Sequence, residues 1–215
     1  MKTISCVIFD MDGVIVDTEP LHKKAYFKTF ESLGLTVSET LYHSLTGSST
    51  INAFQKLEAH FQLTDDPQKL VLQKRAFFVT LFESDPSLAL IDGVEEIIKY
   101  FYNKDIVLVL ASSASMETIN RVFTRFDLNQ YFVGKLSGAD LEKSKPHPEI
   151  FENAARKANT PKENCIIIED SDNGVLAANR AGIYCVGYKS EHSKLQTLAT
   201  ANLVIKDFSE LKKLI

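Results

Sequence analysis

The chain is 215 residues long, and its 24 Lys and Arg against 28 Asp and Glu leave a net charge of −4. That mildly acidic balance argues against bulk nucleic-acid binding. With 45% hydrophobic and 24% charged residues, the composition is that of an ordinary soluble globule, neither disordered nor collagen-like nor disulfide-dense.

The length allows one good core, or one core with a smaller accessory unit. No stretch approaches the roughly 18 to 20 apolar residues of a membrane span, and the run Ile4 to Phe9 is too short for a signal-peptide core and ends in acid. A soluble, cytoplasmic protein is the expectation. Cys6, Cys165 and Cys185 each sit among apolar neighbours without a Cys-x-x-Cys spacing, so they read as buried free thiols of a reducing compartment. His22, His43, His60, His147 and His192 lack the spacing of a zinc site.

In chain order, short runs rich in Ile and Val recur at 4–9, 106–111, 165–168, 184–186 and 203–205. Buried parallel strands have this composition because both of their faces are covered. Helical periodicity fills the intervals 94–102, 116–126, 148–158 and 173–181, with Gly182 as a stop, and a short helix ends the chain. The alternation predicts an α/β fold, a doubly wound (Rossmann-like) parallel-sheet core. Helix-like stretches at 21–33, 39–45, 51–61 and 67–82 come without a strand, predicting an inserted all-helical cap domain. The domain division expected is residues 1–16 and 86–215 for the core and 17–85 for the cap.

The first strand ends in Phe9-Asp10-Met11-Asp12-Gly13-Val14, two carboxylates one residue apart where ligand sites of open α/β sheets lie. In extended chain they would face opposite ways, so they act together only if the backbone turns after Met11, which Gly13 permits. They read either as nucleophile and proton shuttle or as two solvated acids in a turn. After the second strand, Ser112, Ser113 and Ser115 precede a helix, suiting either a phosphate cradle or an ordinary helix cap. Lys145, stiffened by Pro146 and Pro148, is a candidate anion clamp. Glu169 and Asp170 end the next strand and suit a hard cation such as Mg²⁺, or a helix cap. An Asp pair, Ser112, Lys145 and Glu169-Asp170, placed at four strand ends of one sheet, make up the inventory for metal-assisted phosphoryl transfer.

This set resembles the haloacid dehalogenase superfamily of phosphatases and phosphotransferases, in the motifs Asp10-Met11-Asp12-Gly13-Val14, Ser112, Ser144-Lys145-Pro146 and Glu169-Asp170-Ser171-x-x-Gly174. The helical insertion looks like the small cap of the branch containing beta-phosphoglucomutase and the sugar phosphate phosphatases. The resemblance implies that Asp10 becomes an aspartyl phosphate and that Asp12 is the general acid and base. It implies that Ser112, Ser113 and Lys145 bind the phosphoryl oxygens. It also implies that Mg²⁺ is held by Asp10, the Asp12 carbonyl and Asp170, with Glu169 a ligand or a support. Asp12 argues against dehalogenation, since the dehalogenase branch lacks an acid there.

His22 matches a histidine of the mutase, while Thr46 and Gly47 fall in the cap loop that contacts substrate. That loop, Leu45-Thr46-Gly47-Ser48-Ser49-Thr50, lacks the lysine and arginine with which the mutase binds a second phosphate. Lys74 or Arg75 could compensate. The expectation is a Mg²⁺-dependent phosphatase acting as a monomer on a small phosphorylated metabolite, a sugar or polyol phosphate, with neither nucleic acid nor membrane as partner. Beta-phosphoglucomutase activity is the first alternative and a catalytically silent binding module the second.

Overall fold

The computed structural model of the protein describes residues 4–190 and 195–215. Six parallel strands form one sheet: β1 (Cys6–Phe9), β2 (Val107–Ser112), β3 (Gly134–Ser137), β4 (Cys165–Glu169), β5 (Tyr184–Tyr188) and β6 (Leu203–Ile205). Their spatial order is β3-β2-β1-β4-β5-β6. β1 lies at the centre, paired from Cys6 with Val107 on one side and Cys165 on the other, and all four of its residues are buried. Each fully buried Ile, Val or Phe side chain contributes about 1.5–3 kcal/mol relative to exposure. A run of such residues has no alternative place in the fold.

Helices cover both faces. Val7, Phe9, Leu108 and Leu110 face α5 (Val94–Tyr102) and α6 (Met116–Arg125), while Cys6, Ile8, Val109 and Ile167 face α7 (Glu149–Lys157) and α8 (Asp172–Ala181). The chain therefore changes face between β1 and β4. The crevice at the carboxyl ends of those two strands is where an open α/β sheet binds its ligand.

The four helices α1 (Glu19–Ser32), α2 (Glu39–His43), α3 (Thr50–Phe61) and α4 (Pro67–Ser84) lie between β1 and α5 and share a separate apolar cluster, with Tyr26, Phe30, Tyr42, Phe54, Leu57 and Val71 at its centre. The segments entering and leaving this unit run side by side: Val16 bridges Leu90 in antiparallel fashion, and Ile91 N–H donates to the Ile15 carbonyl at 3.0 Å.

Three features depart from the sequence-based expectation. β3 was not anticipated, because an edge strand reading Gly-Lys-Leu-Ser, only half-buried, has no apolar run. Lys145 does not stand at a strand end; it lies in the loop after β3, just before α7, so the site draws on three strand ends and one loop. The terminal helix is a 3₁₀ helix, Phe208–Leu214, started by a reciprocal cap between Asp207 and Glu210.

Candidate active site

β1 delivers Asp10 to the switch point, and the backbone then turns as the Asp-x-Asp-Gly sequence requires. Ile15 N–H donates to the Met11 carbonyl at 2.8 Å, Gly13 N–H to the Val16 carbonyl at 2.9 Å, and Gly13 takes φ of 81°. The turn aims Asp12 along the same crevice as Asp10. A Cβ at position 13 would lie 2.1 Å from Asp170 Oδ2, so glycine is also what lets Asp170 approach.

Lys145 ties the strand ends together. Its Nζ donates to Asp10 Oδ1 at 2.5 Å, to Glu169 Oε1 at 2.7 Å and to the Ala111 carbonyl at 2.9 Å, linking the ends of β1, β4 and β2. The lysine is 1% exposed, and its ammonium also lies over the Phe151 ring. Burial alone would pull its pKa down, but the Asp10 and Glu169 carboxylates more than offset that and hold it protonated. The second Glu169 oxygen, Oε2, accepts from Ser171 N–H and Oγ–H, each at 2.9 Å. Gly174 is obligatory beneath it, since a Cβ there would lie 1.8 Å from Glu169 Oε1.

Asp10, Glu169 and Asp170 offer carboxylate oxygens within 4.8 Å of one another. Three buried acids face one lysine. Burial, with the like charges of Glu169 and Asp12 and against the pull of Lys145, pushes Asp10 up to about 8, and burial with Glu169 and Glu19 raises Asp170 well above the carboxylate range. An all-oxygen donor set with surplus negative charge fits a hard divalent cation such as Mg²⁺.

Asp12 occupies the opposite electrostatic environment. Thr18 Oγ–H donates to its Oδ1 at 2.5 Å, and His22 Nε2 lies 3.1 Å from the same oxygen. Although burial raises Asp12, His22, Thr18 and Lys74 lower it further, and its net shift is downward. Lys74 Nζ donates to His22 Nδ1 at 2.6 Å, which leaves Nε2 to carry the proton donated to Asp12. The imidazole stacks on Phe78 at 4.2 Å, and burial and Lys74 both depress its pKa against the pull of Asp12. Lys74, 3% exposed and over the Tyr26 ring, is itself pushed down by burial to about 8, with Asp12 and Glu19 opposing.

The cavity between the helical unit and the sheet is lined by Asp10, Asp12, Asp170 and Ser113 from below and by Glu19, His22, Thr46, Gly47 and Lys74 from above, among others. Its volume of about 60 Å³ is far below the roughly 300–1,000 Å³ of a ligand cleft, because the 46–49 loop rests on the core. Thr46 Oγ1 is buried there without a hydrogen-bond partner among the described residues. Ser112 is fully buried, its Oγ accepting from Ala114 N–H at 3.1 Å, and it is Ser113 and Ala114 that line the cavity instead.

The sequence-based candidates thus converge, except Ser112, which lies buried behind Ser113, and Arg75. Arg75 is half-buried and is not among the lining residues; Lys74 is the cation that enters. Lys74 carried a signal in its spacing, since it shares the buried stripe of α4 with Leu70, Val71, Phe78 and Phe82. Thr18 and Glu19 are not legible as site residues in the sequence: they are the N-cap and first residue of α1, and helical periodicity does not tell which groups such a helix start meets.

The chain is similar to known proteins of one kind. A curated phosphorylated carbohydrates phosphatase of Thermotoga maritima is 33% identical over 184 residues, covering 84% of this chain and 82% of the relative. Hexitol phosphatase B of Escherichia coli is 29% identical over 180 residues, covering 84% and 81%. Among solved structures, a beta-phosphoglucomutase of Clostridium difficile superposes with a TM-score of 0.85 at 28% identity, covering 97% of this chain and 93% of that one. The CbbY protein of Rhodobacter sphaeroides, solved with phosphate, gives 0.85 at 25% identity, covering 97% and 96%. The family model described as haloacid dehalogenase-like hydrolase matches residues 7–188, from the strand that carries Asp10 past the one that carries Glu169, and the chain belongs to that family of hydrolases.

Proposed function

We propose that the protein is a Mg²⁺-dependent phosphatase that hydrolyses the phosphomonoester of a sugar or polyol through an aspartyl phosphate on Asp10. The observation that carries this reading is the contrast between two carboxylates one residue apart: Asp10 is paired with Lys145, and Asp12 with Thr18 and His22. In the metal-free site those surroundings raise Asp10 and lower Asp12; a divalent cation on Asp10 and a phosphate dianion beside Asp12 would shift each the other way, toward an ionised nucleophile and a protonated acid.

In the first half-reaction the Asp10 carboxylate attacks phosphorus, the bond to the ester oxygen breaks, and Asp12 gives its proton to that oxygen. A phosphate dianion arriving beside Asp12 raises its proton affinity by like-charge repulsion, so the acid is loaded by the substrate it serves. In the second, Asp12 takes a proton from water, the resulting hydroxide attacks phosphorus, and Asp10 leaves as carboxylate. Lys145 and the serines at 112 and 113 would bind the transferring oxygens. Mg²⁺ held by the Asp10 and Asp170 carboxylates and the Asp12 carbonyl would offset the repulsion between nucleophile and phosphoryl oxygens. Both Glu169 oxygens are engaged by Lys145 and Ser171, which favours a supporting role for that residue over ligation.

Residues 17–85 would act as a cap over a core of 1–16 and 86–215. The cap opens to admit substrate and closes to exclude water, while His22, Thr46, Gly47 and Lys74 meet the leaving group. Relatives described as acting on phosphorylated carbohydrates and hexitols support that substrate class. A second reading, beta-phosphoglucomutase, is favoured by one observation: buried Lys74 puts into the cavity a cation that the 45–50 loop lacks.

Phosphorus NMR with Mg²⁺ and a panel of sugar and polyol phosphates, including beta-glucose 1-phosphate with a trace of glucose 1,6-bisphosphate, separates these readings. Growth of inorganic phosphate is expected. Conversion to glucose 6-phosphate without free phosphate would establish the mutase, and absence of metal-dependent turnover across the panel would leave a binding module.

A further inference from the structure

Three core segments, each adjoining a candidate catalytic residue, grip the same short stretch of the helical unit. Ser113 Oγ–H, next to Ser112, donates to the Gly47 carbonyl at 2.9 Å. Asn173 Nδ2, shortly after Asp170, donates to the Thr46 carbonyl at 2.8 Å. The third contact is the most elaborate. Ser144, directly before Lys145, accepts at its Oγ from Asn52 Nδ2 at 2.7 Å and from Ser49 N–H at 3.2 Å, and donates to Ser49 Oγ at 3.0 Å. Ser49 and Ser144 are 1% and 5% exposed.

We propose that Asn52 and Ser49 are positioning residues that act on Lys145 through Ser144, so that seating of the cap and alignment of the lysine are one event. This rests on the phosphatase reading above and extends it to residues outside the reacting set. Ser49, Asn52 and Ser144 lie outside the cavity lining, and their polar side-chain atoms are turned to one another, which points to an influence on turnover other than contact with substrate. It runs through the backbone. Ser144 carries all three bonds on one hydroxyl, and the next residue places its ammonium on Asp10, Glu169 and Ala111. With the cap lifted, Ser144 loses these three bonds to Ser49 and Asn52, and the Lys145 backbone loses its fixed neighbour.

The geometry also explains the residue types. Ser49 is the N-cap of α3, its Oγ accepting from Asn52 N–H at 3.4 Å, so one serine ends the loop, starts the helix and meets Ser144. Asn52, one turn into α3, then presents its amide to the same hydroxyl. An aspartate at 52 could not donate to Ser144.

The test uses Asn52→Ala, Ser144→Ala and the double variant in the full-length protein. Three readouts are taken: kcat/KM for the best sugar phosphate of the panel and for acetyl phosphate, whose leaving group is too short to reach the cap; the thermal midpoint; and hydrogen exchange at the Ser49 amide. Asn52→Ala is expected to lose about fivefold to tenfold in kcat/KM, the worth of one net hydrogen bond, and Ser144→Ala, which removes all three bonds, at least as much. The same factor is expected on both substrates, and the double variant should be no worse than the poorer single. Ser144→Ala should speed exchange at Ser49 while the midpoint stays within a few degrees.

Unchanged kcat/KM, losses that multiply in the double variant, loss confined to the large substrate, or loss that tracks a falling midpoint would each overturn the proposal. Wild-type protein that releases no phosphate would instead overturn the phosphatase reading, and the Ser49 exchange comparison reports on the latch independently of turnover.

Discussion

The Lys145 ammonium lies 2.5 Å from the Asp10 carboxylate beneath a surface that leaves the lysine 1% exposed, bringing together two residues 135 positions apart in the chain. With Glu169 at 2.7 Å on the same nitrogen, one cation holds two buried acids. Removing one partner of such a group leaves uncompensated charge in a low dielectric. Lys145→Ala is therefore expected to abolish turnover and to lower unfolding free energy by about 3–5 kcal/mol. Denaturant unfolding checks the second effect, and a variant of wild-type stability would show that the triad is solvated.

Asp10→Asn keeps the size of the side chain and can still accept from Lys145, but it cannot form an acyl phosphate by direct attack. Turnover should vanish with the fold intact. A steady-state assay together with circular dichroism decides this, and an active Asp10→Asn enzyme would remove Asp10 from the nucleophile's role.

His22 is held between Asp12 and Lys74 by bonds of 3.1 and 2.6 Å, with Phe78 fixing the ring plane. His22→Ala removes the group that depresses Asp12 and orients it. A fall in kcat of about tenfold to a hundredfold is expected, no more than the lower bound of what a proton-transfer group itself contributes, since His22 acts through Asp12. The limb of the pH profile that Asp12 sets should also move to higher pH as Asp12 loses its stabilising partner. A profile that keeps its shape would mean that His22 only packs.

Gly47 has φ of 78°, and a Cβ there would lie 2.2 Å from Ser171 Oγ, a hydroxyl already engaged by Glu169 Oε2 and Gly174 N–H. Ser171 has little freedom to retreat. Gly47→Ala should hold the cap off the core and cost about a hundredfold in kcat/KM, the scale of a misplacement near 1 Å. The unfolding midpoint of the sheet should change little, because Gly47 lies outside all three apolar clusters.

The acids of the crevice set the pH dependence of the metal-free protein. Asp10 stands at about 8 and Glu19 at about 7, the latter raised by burial and by Asp12 against the pull of Lys74, and Asp170 is raised as well. A carboxyl whose folded pKa exceeds its unfolded value binds more protons when folded, so its contribution to stability is present at low pH and is lost as pH rises through the folded pKa. Stability without metal should fall between about pH 4 and pH 8. Mg²⁺ should raise the melting temperature more at pH 8 than at pH 6, since it binds the ionised forms. Melting curves in chelator and in Mg²⁺ across that range give the answer, and a metal-induced gain independent of pH would contradict it.

The apolar runs at 4–9, 106–111, 165–168, 184–186 and 203–205 were enough to specify five of the six strands, and the helical intervals between them a doubly wound sheet, because burial on both faces leaves a local imprint in composition. Asp10, Asp12, Ser112, Lys145, Glu169 and Asp170 were legible as candidates from residue type and order. Edge strand β3 was not, since half-exposed Gly-Lys-Leu-Ser carries no such imprint.

Only the tertiary structure decided that Lys145 reaches the crevice from a loop, that Lys74 rather than Arg75 enters the cavity, and that Asn52 meets Ser144 across 92 residues of chain. The reason is physical. Periodicity records how deeply a residue is buried, whereas the partner of a polar group depends on which segments the chain brings side by side when it crosses from β3 over β2 and β1 to β4.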